Sequence, residues 1–186
     1  SGLRVVTPAF PADAYGMLKT AVRCDDPVVI LEHEAIYNLK GEVPEEEHFA
    51  PLEGAQVVRE GTDVTLIGYL ASTHWNLAAA DKLAEAGISA EVVDLRSLKP
   101  IDRDTIYRSV AKTHKAMVTT EDEAPVGMSA EILAILNEEC FFELDAPPKR
   151  VTAADVPIPY NHKLEKAALP DGESVAAATK TMLGTA

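Results

Sequence analysis

The sequence predicts an α/β chain: a three-layer α/β/α arrangement around a mostly parallel sheet, preceded by a partial β-α-β unit. Three observations predict it. Across 57–186, short continuous apolar runs alternate with segments of helical period. Such runs suit strands buried on both faces, and the alternation yields a parallel sheet covered by helices. Two of the runs, reaching Asp94-Leu95-Arg96 and Glu121-Asp122-Glu123, stop abruptly in charged residues before a turn and a helical pattern. An open α/β sheet presents its carboxyl edge in this way, and such folds place their sites there.

Residues 3–6 read as a strand, 11–22 as a helix with Ala14, Met17, Leu18, Ala21 and Val22 at helical spacing, and 27–31 as a buried strand. A β-α-β unit of this size buries too little apolar surface to stand alone. Residues 1–33 are therefore expected to be the tail end of a domain. Pro44, Glu45, Glu46, Glu47, Pro51 and Gly54 break all periodicity across 34–56, which reads as a linker. Beyond it, strands are expected over 64–69, 88–95, 116–120 and 149–152, and helices over about 73–86, 103–112, 129–139 and 174–183. Ser72 or Thr73 and Asp102 are the expected N-caps. Gly87 is the expected stop of the helix before it.

Composition narrows the function classes. The 186 residues, 47% hydrophobic, suit one large domain or a small domain plus a fragment. A net charge of -13 without a basic face excludes a nucleic-acid binder and favours basic protein partners. The apolar runs at 27–31 and 167–169 are too short to cross a membrane, so no membrane partner is expected. Cys24 and Cys140 are far apart and form no disulfide framework, as in a reducing compartment.

Motifs for chemistry are sparse. No dinucleotide fingerprint or P-loop follows any strand. The helix after Gly68-Tyr69-Leu70-Ala71-Ser72 could hold an anion at its start, but a plain helix start is the simpler reading. His33, His48, His74, His114 and His162 show no metal-ligand spacing. His74 falls in the first turn of a predicted helix and reads as exposed or capping. Glu121, Asp122 and Glu123 have the make-up of a Mg²⁺-binding or acid–base cluster. Phospho-receiver domains use acids at such strand ends, but they also need acids where Gly68-Tyr69 stands here. Prolines at 157 and 159 force an extended path on a loop expected to close over the sheet edge.

Several segments together resemble one family. They are 2–6, 13–18, 26–29, 41–44, 60–65, Asp94-Leu95-Arg96-Ser97-Leu98, Asp122-Glu123-Ala124-Pro125 and Asp155-Val156-Pro157-Ile158-Pro159-Tyr160. In order and spacing they are similar to the β chain of the thiamine-diphosphate-dependent 2-oxoacid dehydrogenases of pyruvate, branched-chain and acetoin type. The resemblance implies a transketolase-like C-terminal domain at 57–186, a linker at 34–56, and the tail of a pyrimidine-binding domain at 1–33. The parent enzyme decarboxylates a 2-oxoacid and acylates a lipoyl group. In that family, thiamine diphosphate and Mg²⁺ are held mainly by the α chain and by upstream β residues, so no catalytic or cofactor-binding residue is expected here.

The resemblance also implies a potassium site formed by oxygens at Ala21, Cys24 and Asp26, although an acid is usual at the position of Cys24. Asp122 stands where several relatives carry histidine. Implied partners are the α subunit of an α2β2 tetramer, a second β chain, and the basic subunit-binding domain of the acyltransferase core, with Glu165 and Asp171 as docking carboxylates. The implied compartment is bacterial cytoplasm or mitochondrial matrix. Two alternatives remain. One is a non-catalytic docking or dimerisation module. The other is the C-terminal part of another thiamine-diphosphate enzyme, of transketolase or deoxyxylulose-phosphate synthase type.

Overall fold

The computed structural model describes residues 2–185. Near the start, β1 (Arg4–Val6) and β2 (Val28–Ile30) run parallel, joined by α1 (Pro11–Arg23). Pro11 opens α1 because its fixed φ suits the first helical turn and its missing N–H is not needed there. Val6, Met17, Ala50 and Leu52 make the small core under α1. The opposite side of α1 leaves Tyr15, Leu18 and Val22 exposed. The segment after β2 contributes a 3-10 turn, Glu34–Ile36, before the next strand.

The main sheet has five strands in the order β3-β5-β4-β7-β8: β3 (Gln56–Arg59), β4 (Val64–Gly68), β5 (Ala90–Asp94), β7 (Ala116–Glu123) and β8 (Lys149–Ala153). All its pairings are parallel except β3 with β5. The predicted layers follow. Helices α2 (Ala71–Glu85) and α6 (Gly172–Leu183) cover one face, packing Ala79, Leu83 and Val175 on Leu66, Val92 and Met117. Helices α3 (Arg103–Thr113) and α4 (Met128–Glu139) cover the other, packing Ile106, Val110, Ile132 and Leu136 on Ile67, Val93 and Val118. A short helix, α5 (His162–Ala168), precedes α6.

Two strands escape the sequence pattern. The edge strand β3 starts at Gln56, at the end of the expected linker, and β6 (Ser97–Lys99) pairs antiparallel with β1. The small sheet therefore has the order β2-β1-β6, with its third strand supplied from beyond β5.

The caps need one correction. Neither Ser72 nor Thr73 caps α2; Leu70 does, at φ 52. Ser72 lies inside the first turn, where its Oγ accepts from the Tyr69 N–H at 2.9 Å. The Thr73 hydroxyl turns to Asp94, at 3.1 Å. Asp102 caps α3 as expected, accepting from the Thr105 N–H at 2.9 Å. Gly87 follows α2 at φ 75, a left-handed conformation in which a Cβ is strained. Among the described residues no helix is long and apolar enough to cross a membrane.

Candidate functional site

The strongest concentration of polar side chains lies along the carboxyl ends of β4, β5 and β7, where the small-sheet segment meets the main sheet. Four ties cross that junction. The Arg96 guanidinium donates twice to the Asp13 carboxylate, at 2.6 and 3.0 Å, with both side chains nearly buried. The Thr7 N–H donates to the Arg96 carbonyl at 2.8 Å. His74 Nε2 lies 2.8 Å from the Ala9 carbonyl oxygen, and its ring packs against Phe10. His33 contacts Glu121 through Nε2 while its Nδ1 accepts from the Ala35 N–H at 3.1 Å. That acceptor role assigns the neutral-ring proton to Nε2, facing Glu121. Trp75, on α2, meets the His33 ring edge-on.

Asp94, at the end of β5, is fully buried. Its Oδ1 accepts from the Thr73 hydroxyl and the Arg96 N–H, while its Oδ2 has no partner. Burial pushes its pKa up to about 7; the bonds from Thr73 and Arg96 and the Arg96 charge oppose the shift, and Asp13 adds to it. An acid raised from 3.8 to about 7 stays protonated in the fold below that pH. This group's contribution to stability is therefore greatest in acid. It falls as pH rises from about 4 to about 7 and is flat above that. Asp94→Asn keeps the accepting oxygen and is expected to flatten that slope, read as the urea midpoint across the same pH range. A slope equal to that of the parent would refute the assignment.

The acidic cluster predicted from sequence does not converge. Glu121 turns to His33. Asp122 Oδ2 accepts from the Met128 N–H at 2.6 Å, serving the start of α4, and from the Tyr69 hydroxyl at 3.3 Å. Glu123 stays in the strand, in register with Ala153. Among the described residues no three His, Cys, Asp or Glu side chains gather into a metal-holding group. At the possible anion cradle before α2, the Tyr69 N–H is already engaged by the Ser72 hydroxyl.

At the end of α1, the Ala21 carbonyl accepts from the Cys24 N–H at 3.1 Å, and the Asp26 carboxylate accepts from Arg4 Nε at 3.1 Å. The Asp26 carboxylate thus faces the Arg4 guanidinium, while the backbone oxygens of this segment are the ones that suit a hard cation. Glu165 and Asp171 do come together. Both line a cavity of about 340 Å³ with Trp75, His162, Leu169 and Pro170. Asp171 also caps α6, its carboxylate accepting from the Ser174 N–H at 2.8 Å. Sequence reading missed Asp13, His33 and Trp75 as members of the junction, since each meets its partner only in three dimensions.

The sequence profile of the transketolase C-terminal domain matches residues 53–175. The chain belongs to that family. It is 43% identical over 183 residues to the 2-oxoisovalerate dehydrogenase subunit beta of Bacillus subtilis, covering 97% of this chain and 56% of that one. It is 46% identical over 184 residues to the mitochondrial pyruvate dehydrogenase E1 component subunit beta-1 of Arabidopsis thaliana, covering 96% and 50%. It is 40% identical over 183 residues to the acetoin:2,6-dichlorophenolindophenol oxidoreductase subunit beta of Bacillus subtilis, covering 98% and 54%. The chain thus spans about half the length of these relatives and is homologous to the C-terminal half of such β subunits. Among solved structures, a split-gene transketolase described as an inactive β4 tetramer superimposes with a TM-score of 0.75 at 29% identity, over 99% of this chain and 58% of that one.

Proposed function

We propose that this transketolase C-terminal domain chain is the C-terminal part of the β subunit of a 2-oxoacid dehydrogenase. Its role is to assemble the subunits and dock them on the acyltransferase core. The carrying observation is the 40–46% identity to β subunits across nearly the whole chain. The split-gene transketolase reading has the lower identity, 29%. In this reading residues 1–33 end the pyrimidine-binding domain, 34–56 link, and 57–186 form the C-terminal domain. The parent oxidatively decarboxylates a 2-oxoacid and acylates a lipoyl group, in bacterial cytoplasm or mitochondrial matrix. Thiamine diphosphate and Mg²⁺ belong to the α chain and to β residues outside this segment, so the chain alone is inactive.

Exposed apolar stripes support the assembly role. Tyr15, Leu18 and Val22 line α1, and Val156, Ile158 and Tyr160 line the loop before α5. Both are the kind of surface that a second β chain or an α subunit covers. Glu165 and Asp171 are the docking carboxylates, at the rim of the cavity beside Trp75.

Calorimetric titration with an acyltransferase subunit-binding domain tests this. Glu165→Lys combined with Asp171→Asn, which removes both negative charges but keeps a capping side chain at 171, is expected to weaken docking about tenfold or more. Unchanged affinity removes these two residues from the docking surface. Absence of binding by the parent chain, with α subunit present, removes the docking role.

A further inference from the structure

The α2 side of the main sheet carries a buried polar site at the carboxyl ends of its strands. Leu66, Val92 and Met117 point to that side, and Ile67, Val93 and Val118 to the other. Alternation along each strand therefore turns the next residues, Gly68, Asp94 and Thr119, toward α2. Gly68 is in register with Asp94, and Thr119 follows Val118, which is in register with Ile67. On α2, Thr73 and Asn76 lie one turn apart on the inner side. Both are fully buried, as are Asp94 and Thr119. The Asn76 side chain lies over Gly68, where a Cβ would come within 2.8 Å of Asn76 Nδ2. Only glycine leaves that room.

Four atoms here have no protein partner: Asp94 Oδ2, Asn76 Oδ1, Asn76 Nδ2 and Thr119 Oγ1. Buried polar groups are nearly all hydrogen-bonded, to protein or to ordered water, so atoms converging from β5, α2 and β7 call for a common partner. Chemistry selects it. The Asn76 amide presents a donor and an acceptor. A hard cation takes oxygen ligands and leaves Nδ2 unpaired, and an anion leaves Oδ1 unpaired. Water serves both, with roughly two to four hydrogen bonds at a buried site. Asp94 Oδ1 already accepts from the Thr73 hydroxyl and the Arg96 N–H, so Oδ2 is the oxygen that faces the site. We propose that an enclosed water site joins Asp94, Asn76 and Thr119 and fastens the start of α2 to the ends of β5 and β7. Thr73 and Asn76 turn inward, whereas His74 and Trp75 between them meet the Ala9 carbonyl, Phe10 and His33. The water thus sets the height of α2 at which those rings reach the small-sheet segment.

Oxygen-17 relaxation dispersion counts waters held longer than the chain takes to tumble. The parent chain is expected to hold about one more such water than Asn76→Leu combined with Thr119→Val, which keeps only the Asp94 oxygen of the site. Thr119→Ser retains the hydroxyl and is expected to leave the count unchanged. The double variant is also expected to move the His74 and Trp75 ring signals in NMR spectra, and Thr119→Ser to leave them in place. The parent gives a second reading that does not depend on how the double variant folds: its Asn76 side-chain amide protons are expected to show a rotating-frame Overhauser contact with water. Absence of that contact, or an equal water count in a folded double variant, overturns the proposal. So do Asn76 amide shifts that follow potassium or sodium concentration at constant ionic strength, because the occupant is then a cation.

Discussion

Asp13→Leu is expected to cost about 3–5 kcal/mol, because removing one partner of a buried charge pair leaves the other desolvated and unpaired. The Arg96 and Asp13 side chains are only 10% and 12% exposed. Arg96 loses two donated bonds, keeps a distant one to the Gly54 carbonyl at 3.5 Å, and holds its backbone at φ 57, where few side chains rest. For a chain of this length the loss corresponds to roughly 6–20 °C in the thermal midpoint. The double variant Asp13→Leu with Arg96→Met removes both charges and is expected to recover a large part of it. A single variant that loses less than about 1 kcal/mol would mean the pair is wet and works as an ordinary surface bridge.

Gly61→Ala is the second large effect. Gly61 lies in the turn between β3 and β4, buried, where it passes directly over β5, and its N–H faces the Glu91 carboxylate at 3.3 Å. A Cβ at this position would overlap the backbone of Ala90 and Glu91. Main chain cannot swing aside as a side chain does, so either β3 or the start of β5 must move. The expected loss is about 4 kcal/mol or more, in the exceptional range for one substitution. Gly87→Ala is the control: it has a positive φ but open space around its Cβ, and is expected to lose only about 1–2 kcal/mol. Equal losses at the two positions in chemical denaturation would refute the close-approach explanation.

The sheet was legible because its strands are buried on both faces and so read as uninterrupted apolar runs, as Val64–Gly68 and Ala90–Asp94 do. Asp102 and Gly87 marked helix ends because capping is local chemistry. The two missed strands are three and four residues long, and neither carries its own pattern. Each is a strand only because a distant partner makes it one. The same holds for the junction. Asp13 meets Arg96 across 83 positions and His33 meets Glu121 across 88, and no local spacing signals such meetings. Asp94 read as a strand end, but its burial depends on how α2 settles over β5. The acidic run at 121–123 misled for the converse reason. Neighbours along a strand point to opposite faces, which parts Asp122 from Glu121 and Glu123, and Glu121 is in turn taken up by His33.

The third strand of the small sheet has a consequence for how the chain is made. The Ser97 hydroxyl bonds the Val5 carbonyl 92 positions earlier. A ribosome adding about 5–20 residues per second needs roughly 5–20 s to deliver β6 after β1 has emerged. During that interval β1 can pair with β2 on one side only, and its other edge stays open to any strand that drifts past. The nascent chain therefore has a window in which chaperone cover at β1 governs yield, and slowing translation between β2 and β6 lengthens it.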